Sequence, residues 1–347
     1  MKIQFYVLIG AVVLTLVSVV GIMANQDQNT HENKISVAYF PNISHAVPIV
    51  GIEKGFFSNQ IGNDTVIEPF LFDSGPQVIE SIFAGSIDIA YVGPGPAINA
   101  FLKSEQHDVK ILSGAASGGV SFIVHPNSDI KSAADFKGKR IAAPQIGNTQ
   151  DISLRTYLSD NGLKSAEKGG SVFVLNTGNS DIYILFTKGD IDAAWVPEPT
   201  ATILVQQLGG TRLFNENELW PDNKFATVVL IAKEEYVNEH PEIIQKWLEA
   251  HQQTVDWINS NKEETRTIFI DFMKNEMGKT LPVELIDESL SNLEITSDPI
   301  VSSINTIAKR ADSLGYLGRH GYNLDGLFFD KNSNSQLQEV LVNNDQT

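Results

Sequence analysis

The chain has no cysteine among its 347 residues. That excludes disulfides, thiolate metal sites and cysteine nucleophiles, and with them a lipid-modified cysteine behind a signal sequence. Positive charge is scarce. Lys and Arg number 25 against 42 Asp and Glu, a formal charge of −17. Such a surface repels nucleic acid and anionic lipid, so neither is a bulk electrostatic partner, and it suits an exported protein in a salty medium. His31, His45, His107, His125, His240, His251 and His320 are scattered, with no metal-binding spacing on one element. No G-x-S-x-G serine elbow occurs. The run "GPGPAI" lacks both the last glycine of a dinucleotide fingerprint and the Lys-Ser/Thr of a P-loop. These absences argue against an enzyme: no catalytic residue, metal or cofactor is expected.

What is present is enough for a large core, since 42% of residues are apolar. A chain of this length is expected to split into two lobes of roughly 100–200 residues. Lys2 precedes an uncharged run from Tyr6 to Ala24. As a helix that run would reach about 28 Å, close to a bilayer core of about 30 Å. Residues 1–24 therefore read as a signal or membrane-anchor segment, residues 25–33 as a polar linker and residues 331–347 as a polar tail. The protein is expected outside the cytoplasm, anchored or secreted through the N-terminal segment.

The body of the chain repeats itself. "GSIDIAYVGPGPA" (Gly85 to Ala97) returns as "GDIDAAWVPEPTA" (Gly189 to Ala201), an offset of 104 positions. The repeat extends upstream. "KISVAYFPNISHAVPIVGIEKGFF" and "KRIAAPQIGNTQDISLRTYLSDNGL" each open as a strand, break at Pro41 or Pro144, and continue with helical spacing. The strands "TVIEPFLF" and "SVFVLNT" follow, each with a Gly/Ser/Asn turn and a short amphipathic helix. Each half thus reads strand–helix–strand–helix–strand, which calls for a mostly parallel sheet flanked by helices. Lobe 1 is assigned to residues 34–119 and 229–330 and lobe 2 to residues 120–228, with two crossings between them. Ile243, Ile244, Trp247, Leu248, His251, Val255 and Ile258 recur at helical spacing and are expected to pack on lobe 1.

Ligands of open α/β sheets bind beyond the carboxyl ends of the strands. In "YVGPGPA", Pro96 suits the first helical position, which makes Gly95 the N-cap and leaves the N–H groups near Ala97 to a ligand. Gly93 and Pro94 complete that tip. Asn148 is an expected N-cap with Asp151 closing a capping box, and Thr149 and Gln150 add donors. Asn42, Ser44 and His45 precede the first helix, while Ser117 and Gly118 lie at a lobe crossing. In the second tip Trp195 would supply an aromatic wall. Glu198, held between prolines, would accept from a ligand amine or pair across the cleft.

Taken in order, "VAYFPNISHAVPIVGIEKGFF", "GSIDIAYVGPGPA", "PQIGNTQDISLRTYL" and "GDIDAAWVPEPTATIL" resemble the substrate-binding proteins of ABC importers for nitrate, aliphatic sulfonates and taurine. Their motifs also recur in binding proteins for a thiamine pyrimidine precursor. The resemblance runs from about Lys34 to Phe329. It implies a two-lobed periplasmic-binding fold of the second type, a small polar ligand (sulfonate, taurine or nitrate-like), a membrane permease as partner, and a monomer. It places ligand loops at Asn42–His45, Gly93–Pro96, Ser117–Gly118, Gly147–Gln150 and Trp195–Glu198. Those loops hold no lysine or arginine, so an anion would rest on backbone N–H groups and hydroxyls, and an amine-bearing sulfonate or neutral heterocycle would use Glu198 better. A sensor ectodomain of the same fold is the reading from another class.

Overall fold

A computed structural model of the chain describes residues 33–62, 64–104, 108–318 and 321–330. The apolar segment 6–24, most of the linker, the tail, His31, His107 and His320 lie outside the described residues.

Eleven strands form among them: β1 (Asn33–Tyr39), β2 (Thr65–Leu71), β3 (Ile89–Val92), β4 (Val109–Gly118), β5 (Val120–Val124), β6 (Arg140–Ala143), β7 (Phe173–Asn176), β8 (Ala193–Pro197), β9 (Thr211–Asn215), β10 (Ala226–Lys233) and β11 (Leu293–Ile295). They make two sheets, ordered β2-β1-β3-β10-β4-β11 and β7-β6-β8-β5-β9. The first five strands of one sheet and all five of the other follow the same plan. β1 pairs in parallel with β2 and β3, as β6 does with β7 and β8. In each sheet the fourth strand arrives from the other lobe and runs antiparallel to both neighbours: β10 in the first, β5 in the second.

The sequence repeat survives as register. Val37 faces Ile89 and Ala38 faces Ala90, while Ile141 faces Ala193 and Ala142 faces Ala194, every pair displaced by 104. The repeated aspartate has a structural task here. Asp88 accepts from Ser36 N at 2.8 Å and Asp192 accepts from Arg140 N at 2.7 Å, while their own N–H groups donate to the carbonyls of Ser36 and Arg140. Each Gly-x-Ile-Asp turn therefore fastens the third strand of its lobe to the first.

The first crossing is the Gly118–Gly119 pair between β4 and β5. Both have positive φ, 74° and 68°, and a Cβ on Gly119 would fall 2.8 Å from the Leu293 side chain, so only glycine turns here without strain. The second crossing runs through residues 216–225. β10 enters the lobe 1 sheet at Ala226, slightly ahead of the boundary expected at 228, because Ala226 already pairs with Ser117. The helix Pro241–Ser260 covers lobe 1 as its periodicity predicts. Trp247 stacks on Phe57 at 4.2 Å, and the Tyr91 hydroxyl lies 3.0 Å from His251 Nδ1. The helix Val301–Ser313 packs against the helices Pro94–Lys103 and Thr149–Asp160, one from each lobe. This helix thus bridges the two lobes. No helix among the described residues is long and apolar enough to cross a membrane.

Candidate functional site

Between the carboxyl ends of the two sheets lies a cavity of about 30 Å³. That is room for a group the size of about two waters. Lobe 1 contributes Phe40, Asn42, Ser44, His45, Asp73, Gly93, Thr227 and Val228. Lobe 2 contributes Pro144, Asn148, Thr149, Gln150, Asn179 and Pro197. Seven of these were singled out from the sequence: Asn42, Ser44, His45, Gly93, Asn148, Thr149 and Gln150.

The lining is rich in donors and holds no lysine or arginine. Pro41 breaks β1, and the chain turns at once into the short helical turn Ile43–His45. There Ser44 Oγ donates to Asn42 Oδ1 at 2.6 Å, which turns the amide nitrogen of Asn42 free. His45 Nδ1 accepts the Phe40 N–H at 3.3 Å, so the ring proton sits on Nε2. Burial pulls the pKa of His45 down to about 3, so the ring is a neutral donor throughout the physiological range. Thr149 and Gln150 begin the helix Thr149–Asp160 behind its N-cap Asn148, and Asn179 begins the helix Asn179–Lys188. The first-turn N–H groups of a helix lack acceptors within it and sit at the positive end of its dipole. Two such ends meet the cavity, and together they favour a compact anionic or strongly accepting group.

The tip "GPGPA" is built differently from the expectation. Its helix begins at Pro94 behind Gly93, not at Pro96 behind Gly95. Both prolines then fall in the first turn and lack N–H groups. The Gly95 N–H donates to Thr149 Oγ1 at 3.1 Å, and Ala97 N–H is engaged by Gly93 O. No donor remains for a ligand. Pro94, Gly95 and Ala97 are buried and do not line the cavity. The tip instead seats lobe 1 against the helix end of lobe 2: a Cβ on Gly93 would stand 2.6 Å from Thr149 Oγ1.

The second tip also departs. Trp195 is fully buried, its ring edge against Phe122 and Phe214, and its Nε1 donates to Glu216 at 2.6 Å. β8 is a central strand buried on both faces, so an aromatic there is core and no wall for a ligand. Glu216 is itself buried and also accepts from Ser153 and Trp220. Burial pushes its carboxyl up.

Glu198 is equally enclosed. Oε1 accepts from Arg212 at 3.1 Å and Asn292 at 2.8 Å, and Oε2 accepts the Thr202 N–H at 3.0 Å. Asn292 adjoins β11 of lobe 1, so of the two roles expected for Glu198 the structure has the pairing across the lobes and not the ligand contact. Asp151 does not close a capping box on Asn148. Its oxygens take Gly147 N, Arg155, Asn176 and the Tyr316 hydroxyl. Ser117 and Gly118 end β4 at the first crossing, outside the cavity lining, where Gly118 O accepts from Thr227.

Phe40, Asn42, Asp73 and Asn179 also line a wider groove of about 620 Å³ opening from the cavity. Its lining includes Tyr183 and Ile184 of lobe 2 and Met277 and Leu281 of lobe 1, together with the charged Lys279 and Asp181. Asp73, Asn179 and Thr227 were not anticipated. Asp73 and Asn179 lie just past β2 and β7, and the carboxyl-end rule applied to the other strands would have found them.

The profile of the NMT1-like family matches residues 28–272. A candidate binding protein of Brucella abortus is 28% identical over 258 residues, 74% of this chain and 75% of that one. The taurine-binding periplasmic protein of Escherichia coli K12 is 27% identical over 174 residues, 50% of this chain and 52% of that one. Among solved structures, the alkanesulfonate-binding protein of Xanthomonas axonopodis pv. citri bound to MOPS superposes with a TM-score of 0.71 at 18% identity, over 85% of this chain and 98% of that one.

Proposed function

The chain belongs to the NMT1-like family, and from that premise we propose that it is the extracytoplasmic solute-binding component of an ABC importer. It captures one small molecule with an anionic or strongly accepting head, closes its lobes over it and presents it to a membrane permease. The apolar stretch 6–24 is the export segment of this reading. The observation that carries it is the small cavity between the lobes, lined by donors from both and bordered by two helix N-termini. The side chains there bind rather than react. Ser44 donates to Asn42 and His45 Nδ1 is taken by Phe40 N, so serine and histidine do not form a nucleophile–base pair. The relatives for taurine and the structural neighbour for alkanesulfonates support a sulfonate-class head.

A ligand that binds only the native state raises the melting temperature once its concentration exceeds Kd. Thermal shift with taurine, alkanesulfonates, nitrate, bicarbonate and pyrimidines should pick out one class, and X-ray scattering should report a smaller particle with that class. No shift and no compaction with any of them would overturn the transport reading.

A further inference from the structure

The inner cavity is too small for a whole organic solute, and it does not end blindly. Phe40, Asn42, Asp73 and Asn179 line both it and the wider groove, so they form the neck between the two. Two of the four are acceptors without donors. Asn179 Oδ1 is buried and makes no hydrogen bond. The Asp73 carboxylate, exposed just past the end of β2 at the mouth of the site, has no hydrogen bond or ion pair among the described residues. A buried carbonyl oxygen left without a donor is destabilising until something donates to it. Beyond the neck, Tyr183 and Ile184 stand 38% and 45% exposed, with Met277 opposite them on lobe 1. Adjacent exposed apolar side chains in a concave site are what a ligand's apolar body would cover.

We infer that the solute has three parts in a fixed order: a compact anionic head, then a protonated nitrogen, then an apolar body of several carbons. The head occupies the inner cavity, against Ser44, His45, Thr149 and Gln150. The nitrogen sits in the neck and donates to Asp73 and Asn179. The body lies in the groove against Tyr183, Ile184 and Met277. This rests on the transport reading above and sharpens its ligand class to N-substituted amino sulfonates and molecules of the same pattern. Plain taurine lacks the body, plain alkanesulfonates lack the nitrogen, and nitrate lacks both.

Calorimetry on the full-length protein with four probes separates the parts: ethanesulfonate, taurine, hexanesulfonate and N-hexyltaurine. N-hexyltaurine should bind tightest. Each methylene that the groove buries should add roughly three- to fourfold. Asp73→Asn should weaken taurine and N-hexyltaurine by roughly ten- to a hundredfold and leave the two alkanesulfonates unchanged or tighter. Ile184→Ser should weaken only the two hexyl compounds. Both side chains are exposed, so neither variant threatens folding.

Equal affinity for all four probes, or Asp73→Asn weakening all four alike, would overturn the three-part ligand while leaving the transport reading standing. Binding of nitrate, bicarbonate or a pyrimidine with none of the four would do the same. Silence from every compound, with no compaction, would bring down both.

Discussion

At the scale of single residues, the site turns on which carboxylates are spoken for. Glu198, Asp151 and Glu216 are all buried near the strand ends, and each is saturated by donors from its own surroundings. A buried charge must be paired, and Arg212 and Arg155 do the pairing for two of them. Asp73, the acid in the inner cavity's lining, has no such donor among the described residues and is left for a ligand. Glu198→Gln should therefore act as a structural lesion. Gln would set an N–H against the Arg212 or Thr202 donor and, among the described residues, leave the guanidinium Glu288 as its remaining charged partner. Breaking a buried pair costs about 3–5 kcal/mol, and the partial exposure of Arg212 puts this one toward the lower end. The melting temperature should fall, and calorimetry should show equal losses for taurine and ethanesulfonate. A selective loss for taurine at an unchanged melting temperature would mean that Glu198 does face the ligand. The sequence could not reveal this assignment, because Arg212 and Asn292 reach Glu198 only through tertiary folding.

At the scale of elements, much was legible. Two copies of a strand–helix–strand–helix–strand pattern at one offset predicted two like sheets, and the strand registers keep that offset. What the pattern did not give was the strand order: β5 and β10 each insert antiparallel between two strands of their sheet, and only non-local pairing shows that. The tip helix was misread for a local reason. "GPGP" offers two registers for a proline at the first helical position, and sequence cannot choose between them. The observed register closes the N-terminus to ligands and makes it a lobe contact. Gly93→Ala tests that role. Its φ of −67° suits alanine, so the backbone is not strained. The new Cβ would stand 2.6 Å from Thr149 Oγ1 across the lobe interface. Overpacking of this kind costs typically 1–3 kcal/mol, and here the lobes can avoid it by standing apart. Scattering with saturating ligand should show incomplete compaction, and affinity should drop about tenfold for every ligand alike. Full compaction with unchanged affinity would show that the tip is no closing surface.

At the scale of the whole molecule, the lobes meet beside the cavity, and that contact is held by bonds between them rather than by the cavity alone. Ser74 donates to Gln145 at 2.8 Å, Gly95 N to Thr149 at 3.1 Å, and the Tyr316 hydroxyl to Asp151 at 2.8 Å. None of these groups needs a ligand to form its bond, so they set the bias between open and closed on which a ligand then acts. The apparent affinity for any ligand scales with the fraction of closing-competent protein. Tyr316 is the informative position, because its ring lies outside the cavity lining and its partner Asp151 is saturated by other donors. Tyr316→Phe removes one hydrogen bond to a charged acceptor, worth about 1.5–3 kcal/mol when fully formed. If the bond is made only in the closed state, the loss falls on the closing equilibrium. Every ligand should then weaken by the same factor, about tenfold or somewhat more, with the order of preference unchanged. The dissociation rate should rise more than the association rate falls, since the bond is among the last to form and the first to break. Stopped-flow kinetics with two ligands of different size would read both effects. A change in ligand preference would place Tyr316 in the binding site, and unchanged kinetics would mean that its bond to Asp151 is made in the open state as well.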